Sequence, residues 1–99
     1  MNDKYIKPSE HLAARLLVDE MIVMSLQDAR VFSLNPTASA LWGAADGVTP
    51  LREIVARAVV EQFEVDPELA YQDALEVIAG LAGAGILRVA DQPIVEANP

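Results

Sequence analysis

The side chains best suited to chemistry are few in this 99-residue chain. It has no cysteine, and His11 is its one imidazole. A transition-metal site needs several nitrogen or sulfur ligands, and a serine nucleophile needs a base beside it. Ser25, Ser33 and Ser39 would have to share that histidine, and no Gly-x-Ser-x-Gly elbow surrounds them. We therefore expect no catalysis, no metal and no cofactor, and we interpret His11 as a surface residue.

The 15 carboxylates are the remaining reactive groups, and they are unevenly placed. Residues 1–45 carry four basic against five acidic residues, a net charge of -1, whereas residues 46–99 carry three against ten, a net charge of -7. Binding to nucleic acid depends on Lys and Arg that neutralise phosphates. The acidic half therefore argues against a nucleic-acid partner and favours a neutral or basic one.

Three short apolar runs follow an N-terminal segment in which apolar residues recur at neither helical nor strand spacing. Residues 1–11 include Pro8 and are expected to form a flexible, irregular arm. Strands are predicted near 12–17, 20–26 and 30–34, where Val, Ile, Leu, Met and Phe alternate with acidic or amide-containing turns. The pattern indicates a three-stranded antiparallel meander.

Three pairs of a capping residue and a proline predict three helix starts, at Asn35-Pro36, Thr49-Pro50 and Asp66-Pro67. Glycines at 47, 83 and 85 follow the first and third predicted helices. Apolar residues at helical spacing follow each start: Ala38, Leu41, Trp42 and Ala45; then Leu51, Ile54, Val55, Ala58, Val59 and Phe63; then Ala70, Ala74, Val77, Ile78 and Leu81.

The order of these elements predicts an α+β fold, in which three helices cover one face of a three-stranded antiparallel sheet. Residues 86–89 are expected to pack back on the core, and residues 90–99 to form a frayed tail. One domain over residues 12–89 accounts for the length. No apolar run approaches the roughly 20 residues of a membrane span. The N-terminus is too polar for a signal peptide, so we expect a cytoplasmic protein without a membrane partner.

The third predicted strand is the candidate binding element, because the last strand of a meander has one edge without a partner. An extended peptide could pair with that edge through main-chain hydrogen bonds. The alternatives are that the edge is simply short, or that the N-terminal arm or a second subunit covers it. The candidate residues are Arg30, Val31, Phe32, Ser33 and Leu34.

The third predicted helix supplies the second candidate surface. Leu69, Gln72, Asp73 and Glu76 lie off its core stripe, and the two acids could pair with Lys or Arg of a partner. A solvated acidic face is an equally good interpretation of these residues. Trp42 falls in register with the apolar stripe of helix 1, so we assign it to the core.

The run from Leu34 to Leu87 resembles the PqqD-like family. In that family, Leu-Asn precedes the first helix, which contains a tryptophan and is followed by Asp-Gly. The second helix contains Glu-Ile-Val, and the third contains Asp followed by a hydrophobic residue. The pattern ends with Gly, a hydrophobic residue and Leu. The matching positions are Leu34, Asn35, Pro36, Trp42, Asp46, Gly47, Glu53, Ile54, Val55, Asp73, Ala74, Leu75, Gly85, Ile86 and Leu87. The hairpin turns at 18–19 and 27–29 lack the glycine that relatives favour.

This resemblance implies a winged-helix-like domain, also called a RiPP recognition element, that binds the leader of a ribosomally made precursor peptide. The leader would join the sheet beside the third strand and lie against the third helix. A modifying enzyme would receive the peptide, often a radical S-adenosylmethionine enzyme, as in pyrroloquinoline quinone biosynthesis. The protein itself would be a peptide chaperone without enzymatic activity.

Other classes fit less well. A winged-helix nucleic-acid-binding regulator has the same order of elements, but residues 67–83 contain no Lys or Arg to contact phosphates or bases. A carrier protein needs an Asp-Ser-Leu attachment site, which the chain lacks. A homodimer stays open, because small domains with free strand edges can pair or swap.

Overall fold

The computed structural model describes residues 3–18 and 20–95. Within these residues, five strands and three helices follow one another in the order β1, β2, β3, β4, α1, α2, α3, β5. The antiparallel sheets and the three helices confirm the predicted mixture of sheet and helix. The arrangement of the strands differs from the prediction, because they form two sheets: β2-β3-β4, and a smaller pair, β1-β5.

The larger sheet is the predicted meander. Its strands are β2 (Leu12–Leu17), β3 (Glu20–Ser25) and β4 (Val31–Leu34). Val23 pairs with Ala14 on one side and with Phe32 on the other. Side chains alternate between the faces of a strand, and buried Val23 and Leu34 show that the face they share meets the core.

The smaller sheet was not predicted. Residues 1–11 were expected to be an irregular arm, but β1 (Tyr5–Pro8) pairs antiparallel with β5 (Leu87–Ala90). Ile6 of β1 is fully buried. The prediction was wrong here because a segment of four residues that includes a proline is too short to show the alternation of a strand. Their pairing is a long-range contact, and burial of Ile6 in the core supports it.

The helices occupy the predicted segments. Helix α1 spans Pro36–Ala44, and α3 spans Pro67–Gly83. Helix α2 is continuous through three segments, Leu51–Val55, a π-helical turn at Ala56–Val60, and Glu61–Phe63.

Two of the predicted N-caps are confirmed. The Asn35 side chain accepts from the Ala38 N–H at 2.8 Å, and the Asp66 side chain accepts from the Leu69 N–H at 3.1 Å. At the start of α2 the predicted Thr49 cap is wrong. The main-chain oxygen of Lys4 and the side chain of Asp3 instead accept from the first two N–H groups of α2, each at 2.8 Å. The residues before β1 therefore cap this helix.

The core lies between the three helices and one face of the larger sheet. Every member of the predicted helical stripes is buried or half-buried except Phe63. The Trp42 indole donates to the Ile86 carbonyl at 2.9 Å and packs on the core, which confirms its structural role. Residues 86 and 87 are buried, as expected. Of the predicted tail, Ile94 donates its N–H to the Gly47 carbonyl at 2.7 Å, and residues 96–99 lie outside the described chain.

No helix in the described part of the chain is long and apolar enough to cross a membrane. The described residues also contain no group of three or more His, Cys, Asp or Glu side chains placed to hold a metal ion. His11 is exposed, as the sequence indicates.

Candidate functional site

Strand β4 is one of the two outer strands of its sheet, so one edge of its main chain has no strand partner in residues 3–18 and 20–95. The Ser25 N–H donates to the Arg30 carbonyl at 2.8 Å. Hydrogen-bonded and non-hydrogen-bonded pairs alternate along an antiparallel ladder. The alternation directs the N–H and C=O groups of Phe32 toward β3, and those of Val31 and Ser33 toward the open edge.

The N-terminal arm does not cover this edge within the described chain. Its residues 5–8 pair with β5 in the other sheet. Among the predicted strand residues, Val31 is 57% exposed and Phe32 is half-buried. The Leu34 side chain is buried in the core. Leu34 is therefore an anchor of the strand, and its side chain is closed to a ligand.

Helix α3 and its C-cap residue Ala84 meet the residues on either side of β4. Before the strand, the Arg30 guanidinium donates to the Ala84 carbonyl at 3.4 Å. After the strand, Thr37 lines a cavity together with Asp73. We define the β4–α3 groove as the surface between these two contacts, from the open edge of β4 to the side of α3 that carries Asp73.

The helical periodicity shows which α3 residues line this groove. At about 100° per residue, Val77, Gly80 and Ala84 all lie within about 40° of Asp73 around the helix axis. Val77 is half-buried against the core, whereas Asp73 and Gly80 are exposed. The groove wall is thus apolar or small along most of its length, with one carboxylate.

An apolar cavity of about 340 Å³ opens at the Asp73 end of the groove. Large apolar side chains remain exposed around it: Leu69 at 66%, Phe63 at 42% and Val65 at 40%. Exposed apolar side chains that cluster around a concavity are typical of a binding surface. The cavity is lined by Thr37, Val59, Phe63, Val65, Asp66, Leu69, Ala70 and Asp73.

Charges of opposite sign mark the two ends of the groove. Arg30 stands at one end, where its Nε donates to Asp28 at 2.8 Å and its guanidinium lies 5.4 Å from the centre of the Phe32 ring. Asp66, Asp73 and Glu76 stand toward the other end. Within the described residues neither Asp73 nor Glu76 has a hydrogen-bond or ion-pair partner. An incoming cation would find these two carboxylates unengaged.

The pKa of Asp28 lies below its usual value. A hydrogen bond with the Ser25 side chain is the largest cause, and the contacts with Arg30 add to it. This carboxylate pairs with Arg30 at one end of the groove.

The four residues of α3 that were predicted to contact a partner have different positions around the helix. Leu69 and Asp73 line the cavity. Glu76 lies about 60° from Asp73 around α3, on the rim, and Gln72 lies about 100° away on the same side, facing outward. All four side chains are exposed. The structure brings Leu69 and Asp73 together in the cavity beside Thr37, which follows β4, and Gln72 does not line that cavity.

Several residues of the cavity were missed or misassigned from the sequence. Phe63 was predicted to lie in the core, but it is the last residue of α2 and lines the cavity. Val65 and Thr37 were not considered. The sequence does contain a hint of this surface between Phe63 and Leu69. Three large apolar residues alternate there with acidic residues, and they do not continue the apolar face of either neighbouring helix.

A second apolar surface lies on the outer face of the larger sheet, opposite the helices. Leu17, Met24 and Val31 are 48%, 41% and 57% exposed there. Two depressions of about 370 and 440 Å³ cross this face, both lined by Leu17 and Ile22. The outer face is continuous with the open edge of β4, because Val31 belongs to both.

Comparisons with known proteins agree with the resemblance. The family model for coenzyme PQQ synthesis protein D (PqqD) matches residues 20–87, which include β3, β4 and all three helices. A solved structure of TbiB1 in complex with the TbiA(beta) leader peptide has a similar fold, with a TM-score of 0.73. The sequence identity is 24%, over 83% of this chain and 94% of that chain. No curated protein matches the chain.

Proposed function

Because the chain belongs to the PqqD family, we propose that it binds the leader segment of a ribosomally synthesised precursor peptide by adding the leader as a strand to β4. The observation that carries this proposal is the open edge of β4 beside the β4–α3 groove. The N–H and C=O groups of Val31 and Ser33 face this edge, and Asp73 and Leu69 border the groove. Strand addition takes its affinity from main-chain hydrogen bonds and its specificity from side-chain pockets, and the open edge of β4 and the cavity beside Asp73 are suited to these two roles.

Two comparisons support the proposal from outside the chain. The matched family takes its name from coenzyme PQQ synthesis, and TbiB1, which shares the fold, binds a leader peptide. The aligned region contains both walls of the groove, since residues 20–87 include β4 and α3.

The finer parts of the proposal concern what happens after binding. The protein holds the leader without chemical change, and a modifying enzyme acts on the rest of the precursor. A radical S-adenosylmethionine enzyme is our choice for that partner, in the biosynthesis of pyrroloquinoline quinone or a related product. The hairpin of β3 and β4 together with the three helices supports a winged-helix-like description. The acidic, exposed side of α3 opposes the alternative of nucleic-acid binding.

The direct test is calorimetric titration with synthetic peptides that cover the short reading frames next to the gene. We expect one of them to bind with a micromolar or lower Kd and to remain chemically intact. Titration of mixed-sequence DNA at low salt is the matched control, and no binding is expected. The proposal fails if none of the peptides binds or if only DNA does.

A proline scan of β4 tests the binding edge itself. Proline lacks the N–H group, so Val31→Pro and Ser33→Pro remove donors that face the open edge. We expect each to weaken peptide binding at least about tenfold, which corresponds to roughly 1.4 kcal/mol.

Phe32→Pro is the control of opposite parity, because the Phe32 N–H faces β3. It should cost about 1–3 kcal/mol of stability by leaving a buried partner unpaired. Urea unfolding separates the two effects. Equal losses of stability and affinity at all three positions would show that the β4 edge is not the peptide site.

A further inference from the structure

We propose that a second copy of this chain pairs with the free edge of β2, so that two antiparallel copies form one continuous six-stranded sheet. Strand β2 is the other outer strand of the larger sheet, and within residues 3–18 and 20–95 no strand lies beyond it. The leader is assigned to β4, on the opposite side of that sheet, so this second interface is separate from the proposed peptide site.

The main-chain groups of β2 that face the free edge follow from its pairing with β3. The Leu26 N–H donates to the His11 carbonyl at 2.9 Å, in the register that continues along the two strands. Hydrogen-bonded and non-hydrogen-bonded pairs alternate along an antiparallel ladder. The odd-numbered residues of β2 therefore bond to β3, and the free edge presents the N–H and C=O groups of the even-numbered ones: Leu12, Ala14 and Leu16.

The β2 edge lacks the features that usually block pairing between molecules. Natural edge strands are protected by lysine, proline, an inward-pointing charge or a bulge. The β2 sequence is Leu-Ala-Ala-Arg-Leu-Leu, and its register with β3 is uninterrupted. Its one charged residue, Arg15, lies opposite Ile22 and therefore on the outer face of the sheet. With six residues, β2 is also longer than β4, which has four.

Leu16 is a core-side residue that the fold leaves uncovered. Ala14 pairs with Val23, whose side chain is buried, so Leu16, two residues further along, is on the same face as Val23. Leu16 is nevertheless 64% exposed. Leu12 is on that face too, and it is half-buried against the core. A neighbouring strand that set a leucine beside Leu16 would extend the core across the β2 edge.

A second copy of β2 supplies that leucine in one register. If a two-fold axis passes at Ala14, Leu16 of each copy lies opposite Leu12 of the other, and the outward main-chain groups form about six hydrogen bonds. An axis at Arg15 would set two guanidinium groups opposite each other, which is unfavourable. An axis at Ala13 would leave Leu16 without an apolar partner. The sequence of β2 is therefore self-complementary about Ala14.

The distribution of charge favours association through this side of the molecule. Residues 1–45, which contain the larger sheet, have a net charge of -1, whereas residues 46–99 have -7. Copies that meet through β2 therefore join by their nearly neutral strands. The strand order of the dimer would be β4-β3-β2-β2-β3-β4. Both β4 edges remain at its two ends, where each is open to a peptide.

Disulfide cross-linking tests the register, because the chain has no cysteine of its own. In the proposed dimer the two Ala14 Cα atoms lie about 5.5 Å apart, within the range of about 4.4–6.8 Å that a disulfide spans. Ala14→Cys should therefore form a covalent dimer under mild oxidation. Leu16→Cys is the matched control on the same exposed edge, since its two copies lie about 14 Å apart. Ser33→Cys reports pairing through β4. Both controls should remain monomeric on a non-reducing gel.

Sedimentation equilibrium of the protein alone measures the association. The mass should rise with concentration from 10.7 kDa toward twice that value. Ala14→Pro removes an N–H that faces the edge in each copy, so it should weaken the dimer at least about tenfold, and urea unfolding checks that the variant is folded. A constant mass of 10.7 kDa up to about 1 mM would overturn the proposal. So would equal cross-linking of Ala14→Cys and Leu16→Cys, or cross-linking of Ser33→Cys alone.

Discussion

The two sheets of this small protein are built from similar residues but differ in what surrounds them. The β1–β5 pair is closed: Ile6 and Leu87 are 0% and 3% exposed, and residues just before β1 cap α2. The β2–β3–β4 sheet is open, because its outer face is apolar and exposed, and β4 is one of its two outer strands. Under the proposed function, we expect the closed pair to contribute mainly to stability and the open sheet mainly to binding.

Near the closed pair, both ends of the described chain form hydrogen bonds with residues at or just before the start of α2. The Asp3 side chain accepts from the Arg52 N–H and from the Tyr71 hydroxyl, at 2.8 and 2.7 Å. The Arg52 guanidinium lies 4.0 Å from the centre of the Tyr71 ring. At the other end, the Ile94 N–H donates to Gly47. These contacts join β1, α2, α3 and the segment after β5 into one network.

The largest effect that would test this comparison comes from Ile6. Ile6→Ala removes a fully buried side chain, and such a truncation costs about 2–5 kcal/mol of the free energy of unfolding. Val31→Ala on β4 removes a side chain that is 57% exposed, so we expect a change within about 0.5 kcal/mol. Urea unfolding of both variants measures the contrast. Similar losses at the two positions would break the proposed division.

A middle-sized effect is expected at Tyr71. Burial, followed by the hydrogen bond to Asp3, raises the pKa of Tyr71 to about 12. The contribution of Tyr71 to stability is therefore complete below pH 10 and is lost as the pH rises from 10 to 12. Tyr71→Phe removes the hydrogen bond at the cost of about 0.5–1.5 kcal/mol at neutral pH, and it should flatten this alkaline loss.

Ser33→Ala is the counterpart on the open sheet. The Ser33 hydroxyl donates to the exposed Glu20 carboxylate, and an exposed hydrogen bond of this kind should contribute less than that of Tyr71. Unfolding curves at pH 7 and pH 11 compare the two variants. If Ser33→Ala costs as much as Tyr71→Phe, hydrogen bonds in the open sheet matter to folding as much as those of the closed pair.

An acidic counterpart exists at Asp3. Burial acts to raise its pKa, but the hydrogen bonds from Tyr71, Arg52 and Lys4 outweigh burial, and the pKa lies below the usual 3.8. The stabilisation is present above about pH 3.8 and is lost as the pH falls through the lowered value. In the Asp3→Asn variant, the free energy of unfolding should fall less steeply as the pH is lowered through this range, which acid unfolding curves measure. An unchanged acid transition would show that Asp3 is not linked to folding.

The smallest expected effect concerns the carboxylates of α3. Asp73 is exposed, so a pair between it and a basic leader residue should contribute about 0.2–1 kcal/mol. Asp73→Asn should therefore lower affinity by less than about sixfold at low salt. The loss should vanish at 1 M salt, where the Debye length is about 3 Å. Glu76→Gln, on the rim, should show a smaller effect of the same kind.

Glu61→Gln is the control for overall charge, since Glu61 is exposed on α2 away from the groove. Titration of the leader at two salt concentrations distinguishes these cases. If Asp73→Asn and Glu61→Gln weaken binding equally, the acidic surface attracts the leader at long range, and Asp73 makes no specific contact.

What the sequence predicts well is local. Asn35 and Asp66 were identified as caps from their own positions, and each bonds to an N–H three residues away. The meander was predicted from runs of residues that pair with their neighbours in sequence. Hairpins form even without the favoured glycines, because Val18 and Ala29 adopt φ angles of 47° and 59° in their place.

What the sequence predicts poorly depends on distant contacts. The cap of α2 comes from Asp3, 49 residues before its partner. The pairing of β1 with β5 joins residues about 80 positions apart. Part of the candidate site could be predicted: β4, Leu69 and Asp73 follow from local patterns, whereas Phe63 and Val65 line the cavity because of the way α2 and α3 meet.

The open sheet also bears on how the protein behaves at high concentration. A free β4 edge joined to an apolar outer face is a template on which copies of the chain can stack, and this is a common route to aggregation. The net charge of -8 opposes that process, because molecules of like charge repel one another. Colloidal stability should therefore fall as added salt screens the charge or as the pH approaches the sequence pI of about 4.3. A leader bound along β4 would act as a solubilising ligand, since it occupies the edge through which the copies would stack.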